Sequence, residues 1–164
     1  MRLYSLVGVP TLVFCGCAAP SHASDETIAA RAALDRYVID FWVKRDTGAL
    51  ALALSPSMVY HYNGKTVPGQ SSAHLAALRS FGGAISDLTV SVDVFTFSGD
   101  IGAAVTTWTG RHTGVLCQKQ GAGDKASWVV NYLFRVNHGR IVELWESWDE
   151  GGFNRKLGID AGAC

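Results

Sequence analysis

The distribution of apolar and polar residues predicts helices in the first half of the chain. Between residues 25 and 44, apolar side chains such as Ile28 and Leu34 recur at the spacing of one helical face. Two shorter segments, residues 47–54 and 71–81, are also helical in pattern and end at proline or glycine signals. We therefore expect three amphipathic helices, each of which needs an apolar surface to cover.

The second half of the chain changes to the period of a β-strand. Long segments rich in β-branched residues are separated by short turn signals, and they cover residues 88–97, 101–113, 127–136 and 141–148, after a shorter one at residues 58–62. Short turns between consecutive long strands predict an antiparallel meander. Helices followed by such strands indicate an α+β fold, in which a curved sheet closed by the helices leaves a conical cavity.

The extreme N-terminus has the anatomy of an export signal. Arg2 precedes an apolar run from residue 3 to residue 14, which suits a signal core and is too short to span a bilayer comfortably. Cleavage after Ala23 would leave one domain, residues 24–164, as a periplasmic or secreted protein. Alternatively, residues 14–17 resemble a lipobox, in which Cys17 would carry a lipid anchor. A buried N-terminal strand is the remaining interpretation.

Composition excludes some functions and permits others. The 14 basic and 14 acidic residues cancel and form no basic stripe, so nucleic acid is not an expected partner. No Cys-x-x-Cys or His-x-x-x-His spacing suggests a metal site. Outside the signal, Cys117 and Cys164 remain, and an oxidising compartment would permit a disulfide between them, with two unpaired thiols as the alternative.

Two strands carry the candidate chemistry. On the last one, the period of two places Trp145 and, just beyond the strand, Asp149 on one face, with Glu146 and Trp148 on the other. Neither face is cleanly polar, and carboxylates at strand ends are usually solvated. The pattern alone therefore gives Asp149 no more than a modest claim to catalysis.

The second long strand places Trp108 and His112 on one face, because they are four residues apart. The small residues Ala104 and Gly110 share that face and would leave room for a ligand. The ordinary interpretation of His112 is a structural histidine with hydrogen-bond partners in the core.

Three motifs together resemble the SnoaL-like family. Its terminal signature is similar to the run from Gly139 through Trp145 and Asp149 to Leu157-Gly158, and its middle strand to Trp108-Thr-Gly110-Arg-His112-Thr-Gly114. Its N-terminal half is similar to Tyr60-His61, Gly69 and His74-Leu75. The resemblance covers about residues 30–158. It implies the nuclear-transport-factor-2-like cone, a curved antiparallel sheet closed by N-terminal helices.

The resemblance also implies a function. Its best-known members are polyketide ester cyclases, which close rings by aldol chemistry without metal or cofactor, so Asp149 would be the acid/base. His112 would match the family's pocket histidine and would be the second catalytic residue, because it or Tyr60 could donate a hydrogen bond to the developing enolate. The substrate would be a small apolar carbonyl compound, and this fold often forms homodimers through its sheet. A non-catalytic binding module and a sheet-mediated interaction domain remain alternatives. The expected pocket residues are Trp42, Tyr60, His61, Trp108 and Trp145.

Overall fold

A computed structural model describes residues 22–67, 70–160 and 163, and in this part of the chain the elements follow the predicted order. The helices are α1 (His22–Asp35), a π-helical segment (Arg36–Val43), α2 (Thr47–Ala53), α3 (Gln70–Ala84) and α4 (Glu150–Lys156). The strands are β1 (Leu54–Tyr62), β2 (Lys65–Val67), β3 (Ile85–Ser98), β4 (Ile101–His112), β5 (Val115–Leu116), β6 (Lys119–Gln120), β7 (Asp124–Asn137) and β8 (Arg140–Trp148). The α+β class is confirmed.

The long N-terminal helix is confirmed, but its second half is π-helical. The amide of Lys44 donates to the carbonyl of Ile39, five residues earlier, at 2.9 Å, which is the wide turn of a π-helix. Within this segment the rings of Tyr37 and Phe41 stack with their centroids 6.2 Å apart, and both side chains are fully buried. The widened turns thus direct a row of aromatic side chains toward the sheet.

Within the described residues, the main sheet has six strands in the order β2-β1-β8-β7-β4-β3. The neighbouring pairs β3–β4, β4–β7 and β7–β8 are antiparallel, as the meander predicts. β1 differs, because it runs parallel to β8 and makes the sheet mixed. The whole meander separates these two strands in sequence, so no tight turn sets their relative direction.

One face of the sheet is packed and the other is open to solvent. Along β7, Trp128, Val130 and Tyr132 are buried, whereas Val129 is 47% exposed, as the alternation of a one-sided strand requires. The helices cover the buried face. Packing is close there: a Cβ on Gly102 would lie 2.4 Å from the ring of Phe134, so only glycine fits that position without a shift.

The β5–β6 hairpin follows β4 and carries Cys117, which takes part in a disulfide. Cys164, its predicted partner, lies outside the described residues, so that pairing stays a prediction. The proposed signal core and lipobox, including Arg2 and Cys17, also lie outside the described residues. Within the described part, no helix is long and apolar enough to cross a membrane.

Candidate functional site

A cavity of about 560 Å³ lies between the packed face of the sheet and the helices α3 and α4. Partly exposed lining residues such as Glu150 and Val115 mark its open side. Its volume is typical of sites for small molecules, which are mostly apolar with a few polar groups. Aromatic side chains supply much of the wall, namely Trp42, Phe81, Trp108, Trp128, Trp148 and Phe153.

Glu146 is the buried carboxylate of this cavity. It lies on the inward face of β8 and is 8% exposed. The hydroxyls of Tyr37 and Tyr60 both donate to its Oε2 atom, at 3.0 and 3.2 Å. Among the described residues, nothing donates to the other oxygen, Oε1, which leaves that oxygen available to a bound molecule.

Burial raises the pKa of Glu146 from 4.5 to about 7. The cause is the loss of hydration, which disfavours the charged form of a carboxyl group. The hydrogen bonds from Tyr37 and Tyr60 favour the carboxylate and oppose this shift in part. The pKa therefore lies near neutrality, where one group can both accept and return a proton.

Tyr132 lies directly opposite Glu146 on the neighbouring strand β7 and also lines the cavity. Directly opposed residues on one face have Cβ atoms about 5 Å apart. Burial and the Glu146 charge raise the pKa of Tyr132 well above its usual value, so its hydroxyl keeps its proton. Within the described residues that hydroxyl donates no hydrogen bond, which makes it available as a donor to a ligand.

A second polar chain lies toward the open side. The indole Nε1 of Trp148 donates to the hydroxyl of Tyr62 at 2.8 Å, and that hydroxyl donates to Oε2 of Glu150 at 3.2 Å. Burial and the neighbouring Glu150 charge raise the pKa of Tyr62, which keeps the phenol protonated. All three side chains line the cavity.

Three of the predicted pocket residues, Trp42, Tyr60 and Trp108, line this cavity. Their contact with a substrate stays a prediction. The indole of Trp108 donates to Thr106 at 2.8 Å, which fixes the ring, and Tyr60 supplies one of the two hydrogen bonds to Glu146.

Asp149, the predicted acid/base, lies outside this cavity. It follows the last residue of β8, its Oδ1 accepts the amide of Gly152 at 2.7 Å, and it is the N-cap of α4. Its side chain is exposed and does not line the cavity. The expected position on the pocket face is therefore corrected: β8 ends at Trp148, so the alternation of the strand does not extend to Asp149. Its catalytic role stays an untested prediction.

His112 shares the inward face of β4 with Trp108, as the spacing predicts, and is fully buried. It nevertheless lies beyond the cavity wall, beneath Gly121: a Cβ on that glycine would lie 2.7 Å from the His112 ring. The structure therefore does not bring His112 and Asp149 together at one cavity.

His61 and Trp145, also expected in the pocket, lie on the outer face of the sheet. They are direct neighbours on β1 and β8, and their rings stack with centroids 5.0 Å apart. His61 Nε2 lies 3.1 Å from Oε1 of Glu143. The alternation was predicted correctly, but the face carrying Trp145 is the outer one, which also explains why Glu146 was missed.

The sequence did contain a signal for Glu146, because it lies between Leu144 and Trp148 on one strand face. A carboxylate flanked by large apolar side chains on its own face is either buried or breaks an apolar patch. Tyr37 offered no such signal, since an apolar helical face accommodates tyrosine readily. Among the described residues, no group of three or more His, Cys, Asp or Glu side chains could hold a metal ion.

Comparison with known proteins gives a family and a fold. A family model described as SnoaL-like polyketide cyclase matches residues 32–157. No curated protein matches. Similar solved structures include AclR from Streptomyces galilaeus (22% identity, 82% of this chain and 88% of that chain, TM-score 0.69). Another is IdmH from Streptomyces antibioticus (21% identity, 85% of this chain and 100% of that chain, TM-score 0.65).

A protein with a ketosteroid isomerase-like fold from Catenulispora acidiphila is also similar (15% identity, 75% of this chain and 90% of that chain, TM-score 0.58). Identities this low establish a shared fold and nothing about substrates. Together with the mixed, unclosed sheet, they confirm the nuclear-transport-factor-2-like fold class that the motifs implied.

Proposed function

Because the chain belongs to the SnoaL-like polyketide cyclase family, we propose that it is a cyclase- or isomerase-type enzyme acting on a small, largely apolar carbonyl compound. Glu146, rather than Asp149, is the proposed acid/base. The observation that carries this proposal is a carboxylate in the cavity wall whose pKa is raised to about 7 and which has one oxygen free for a ligand.

In the proposed reaction, Oε1 of Glu146 removes a proton from the carbon next to the substrate carbonyl. The carbonyl oxygen becomes an enolate, which the hydroxyl of Tyr132 stabilises by donating a hydrogen bond. The enolate carbon then either attacks a second carbonyl, closing a ring whose new alkoxide oxygen takes the proton held by Glu146, or, in a conjugated enolate, Glu146 returns the proton to a different carbon. General acid–base help of this kind contributes about 10²–10⁴-fold to a rate.

The two tyrosines that bind Oε2 are positioning residues in this scheme. Tyr37 and Tyr60 hold the carboxylate in one orientation through Oε2, which leaves Oε1 as the oxygen that takes the substrate proton. The aromatic wall around the site favours a flat, apolar substrate and excludes water. No metal or cofactor takes part in the proposed steps.

The test uses a general probe of proton transfer, because the natural substrate is not needed to detect it. Deuterium uptake at the α-carbon of 2-tetralone, a ketone with two fused rings, is followed by NMR in D₂O with the wild type, Glu146→Gln and Asp149→Asn. We expect Glu146→Gln to lower enzyme-dependent exchange at least about 100-fold and Asp149→Asn to leave it within about twofold.

Loss of exchange in Asp149→Asn with retention in Glu146→Gln would return the acid/base role to Asp149. If the wild type binds the ketone without accelerating exchange, a non-catalytic binding module is the better description. Both substitutions are nearly isosteric, so neither should disturb the fold.

We also propose that the chain is exported and that Cys117 pairs with Cys164. Ala163 supports the pairing, because it lines the same cavity as Cys117 and packs on the core one residue before Cys164. N-terminal mapping of the purified protein tests export. A chain beginning at Ser24 supports cleavage after Ala23, a lipidated Cys17 supports the anchor, and an intact N-terminus refutes both.

A further inference from the structure

The open side of the cavity has chemistry that the proposed proton transfer does not use. From it, we infer that the substrate carries an alkylammonium group, which binds between the carboxylate of Glu150 and the rings of Trp148 and Phe153. This inference rests on the proposed function in one respect, since it takes the cavity as the substrate site. It adds a substrate class: an apolar carbonyl compound with a cationic end.

Glu150 has a fixed orientation, and its carboxylate forms no ion pair with the described residues. The Tyr62 hydroxyl binds its Oε2, and the Trp148 indole in turn binds Tyr62, so the carboxylate is oriented by two linked hydrogen bonds. No ion pair among the described residues includes Glu150. An oriented, half-buried carboxylate without a protein cation is suited to a cationic ligand group.

The rings beside Glu150 form a continuous aromatic wall. Trp148 and Phe153 meet edge to face with centroids 5.3 Å apart, and Trp128 approaches Phe153 at 4.9 Å. All three line the cavity together with Phe81, which lies 6.3 Å from Trp148. Ammonium groups are attracted to the faces of such rings within about 6 Å, and quaternary ammonium ligands use this attraction most.

The charge of the residues that line the cavity also favours a cationic ligand. Among the described residues that line the cavity, Glu146 and Glu150 are the acidic ones, and none is lysine or arginine. A concave site with charge of one sign concentrates ligands of the opposite sign. The same site disfavours a carboxylate or phosphate, which would enter beside two carboxyl groups and, among the described lining residues, would find no lysine or arginine to bind.

The experiment compares three ligands that share a naphthyl ring and differ in charge. They are the cation (2-naphthylmethyl)trimethylammonium, the neutral alcohol 2-naphthalenemethanol and the anion of 2-naphthaleneacetic acid, called the acetate below. Binding to the full chain is measured by calorimetry at pH 6, where Glu146 is mostly protonated and contributes little negative charge. We expect the ammonium compound to bind about tenfold more tightly than the alcohol, and the acetate to bind most weakly.

Glu150→Gln should remove the preference for the ammonium compound, and Glu150→Lys should reverse it toward the acetate. Glu143→Gln is the matched control, because it removes a carboxylate from the outer face of the sheet and should leave the preference intact. Equal affinities for the three ligands, or a preference that survives Glu150→Gln, would overturn the inference.

Different results would overturn the acid/base role of Glu146 and the ammonium subsite at Glu150. If Glu146→Gln abolishes deuterium exchange while Glu150→Gln leaves the charge preference unchanged, the proposed function stands and the ammonium subsite falls. If exchange does not depend on Glu146 but the preference depends on Glu150, the subsite stands and the acid/base assignment falls.

Discussion

Glu146 should make the protein less stable at neutral pH than at acidic pH, and Glu146→Gln should remove that cost. The pKa of this carboxyl is about 7 in the folded chain, against 4.5 for an ordinary glutamate. Between these values the folded state holds a proton that the unfolded state has released. The free energy of unfolding therefore falls as the pH rises from about 4.5 to about 7, and the full loss remains above pH 7.

The magnitude follows from the size of the shift. A difference of one pKa unit corresponds to about 1.4 kcal/mol, so the shift of Glu146 corresponds to about 3 kcal/mol. About 2.5 kcal/mol of this develops between pH 5 and pH 8. Glutamine has no proton to release, yet its side-chain oxygen can accept the hydrogen bonds from Tyr37 and Tyr60.

Urea denaturation followed by tryptophan fluorescence measures the free energy of unfolding at pH 5, 6, 7 and 8. The relevant quantity is the stability of Glu146→Gln minus that of the wild type, because other titrating groups cancel in the difference. This difference should rise by about 2.5 kcal/mol across the range, which is a shift in Tm of roughly 8 °C.

The control is Glu143→Gln, a change of the same type on the outer face of the same strand. Glu143 is partly solvated and lies beside Arg135 and His61, so this variant changes the same functional group without altering the buried carboxylate. An equal rise in this variant would mean that burial of Glu146 is not the cause. If the stability difference between Glu146→Gln and the wild type does not change with pH, the reasoning is refuted. Burial would then not raise the pKa of this carboxyl in the folded state.

Three further results are expected. Asp149→Ala should lower stability by about 1 kcal/mol by removing the cap of α4, whereas Asp149→Asn should cost less because asparagine also caps; urea denaturation at pH 7 compares them. Tyr37→Phe removes a hydrogen bond that favours the carboxylate, so the pH at which exchange reaches half its maximum should move upward, and an unmoved or lower midpoint would contradict this role. A disulfide between Cys117 and Cys164 should make the intact mass lighter by a pair of hydrogens, and reducing it should lower stability by about 2–4 kcal/mol.

The order and kind of the elements could be predicted from the sequence because they depend on local patterns. Apolar residues at helical spacing indicated the first helix, and β-branched alternation with short turns indicated β3, β4, β7 and β8. The parallel pairing of β1 with β8 could not be predicted in this way. It joins segments that are distant in sequence, so turn chemistry contains no information about it.

In the candidate site, too, the sequence predicted some features and the tertiary structure decided others. The period of two placed Glu146 and Trp148 on one face of β8 and Trp145 on the other, and the structure agrees. Both faces contain large apolar side chains, so the pattern did not indicate which face is inside. The helices decide that, because Tyr37 approaches from the π-helical segment and binds Glu146 across the core.

The sequence by itself thus determined the α+β class, the family and the partition of each strand into two faces, since these follow from spacing and local motifs. The tertiary structure decided which carboxylate is buried. Asp149 is only one residue beyond β8, yet its amide partner in α4 keeps it at the surface. Glu146 is covered by helices from the other end of the chain, and burial, which raises its pKa toward neutrality, is a property of that packing alone.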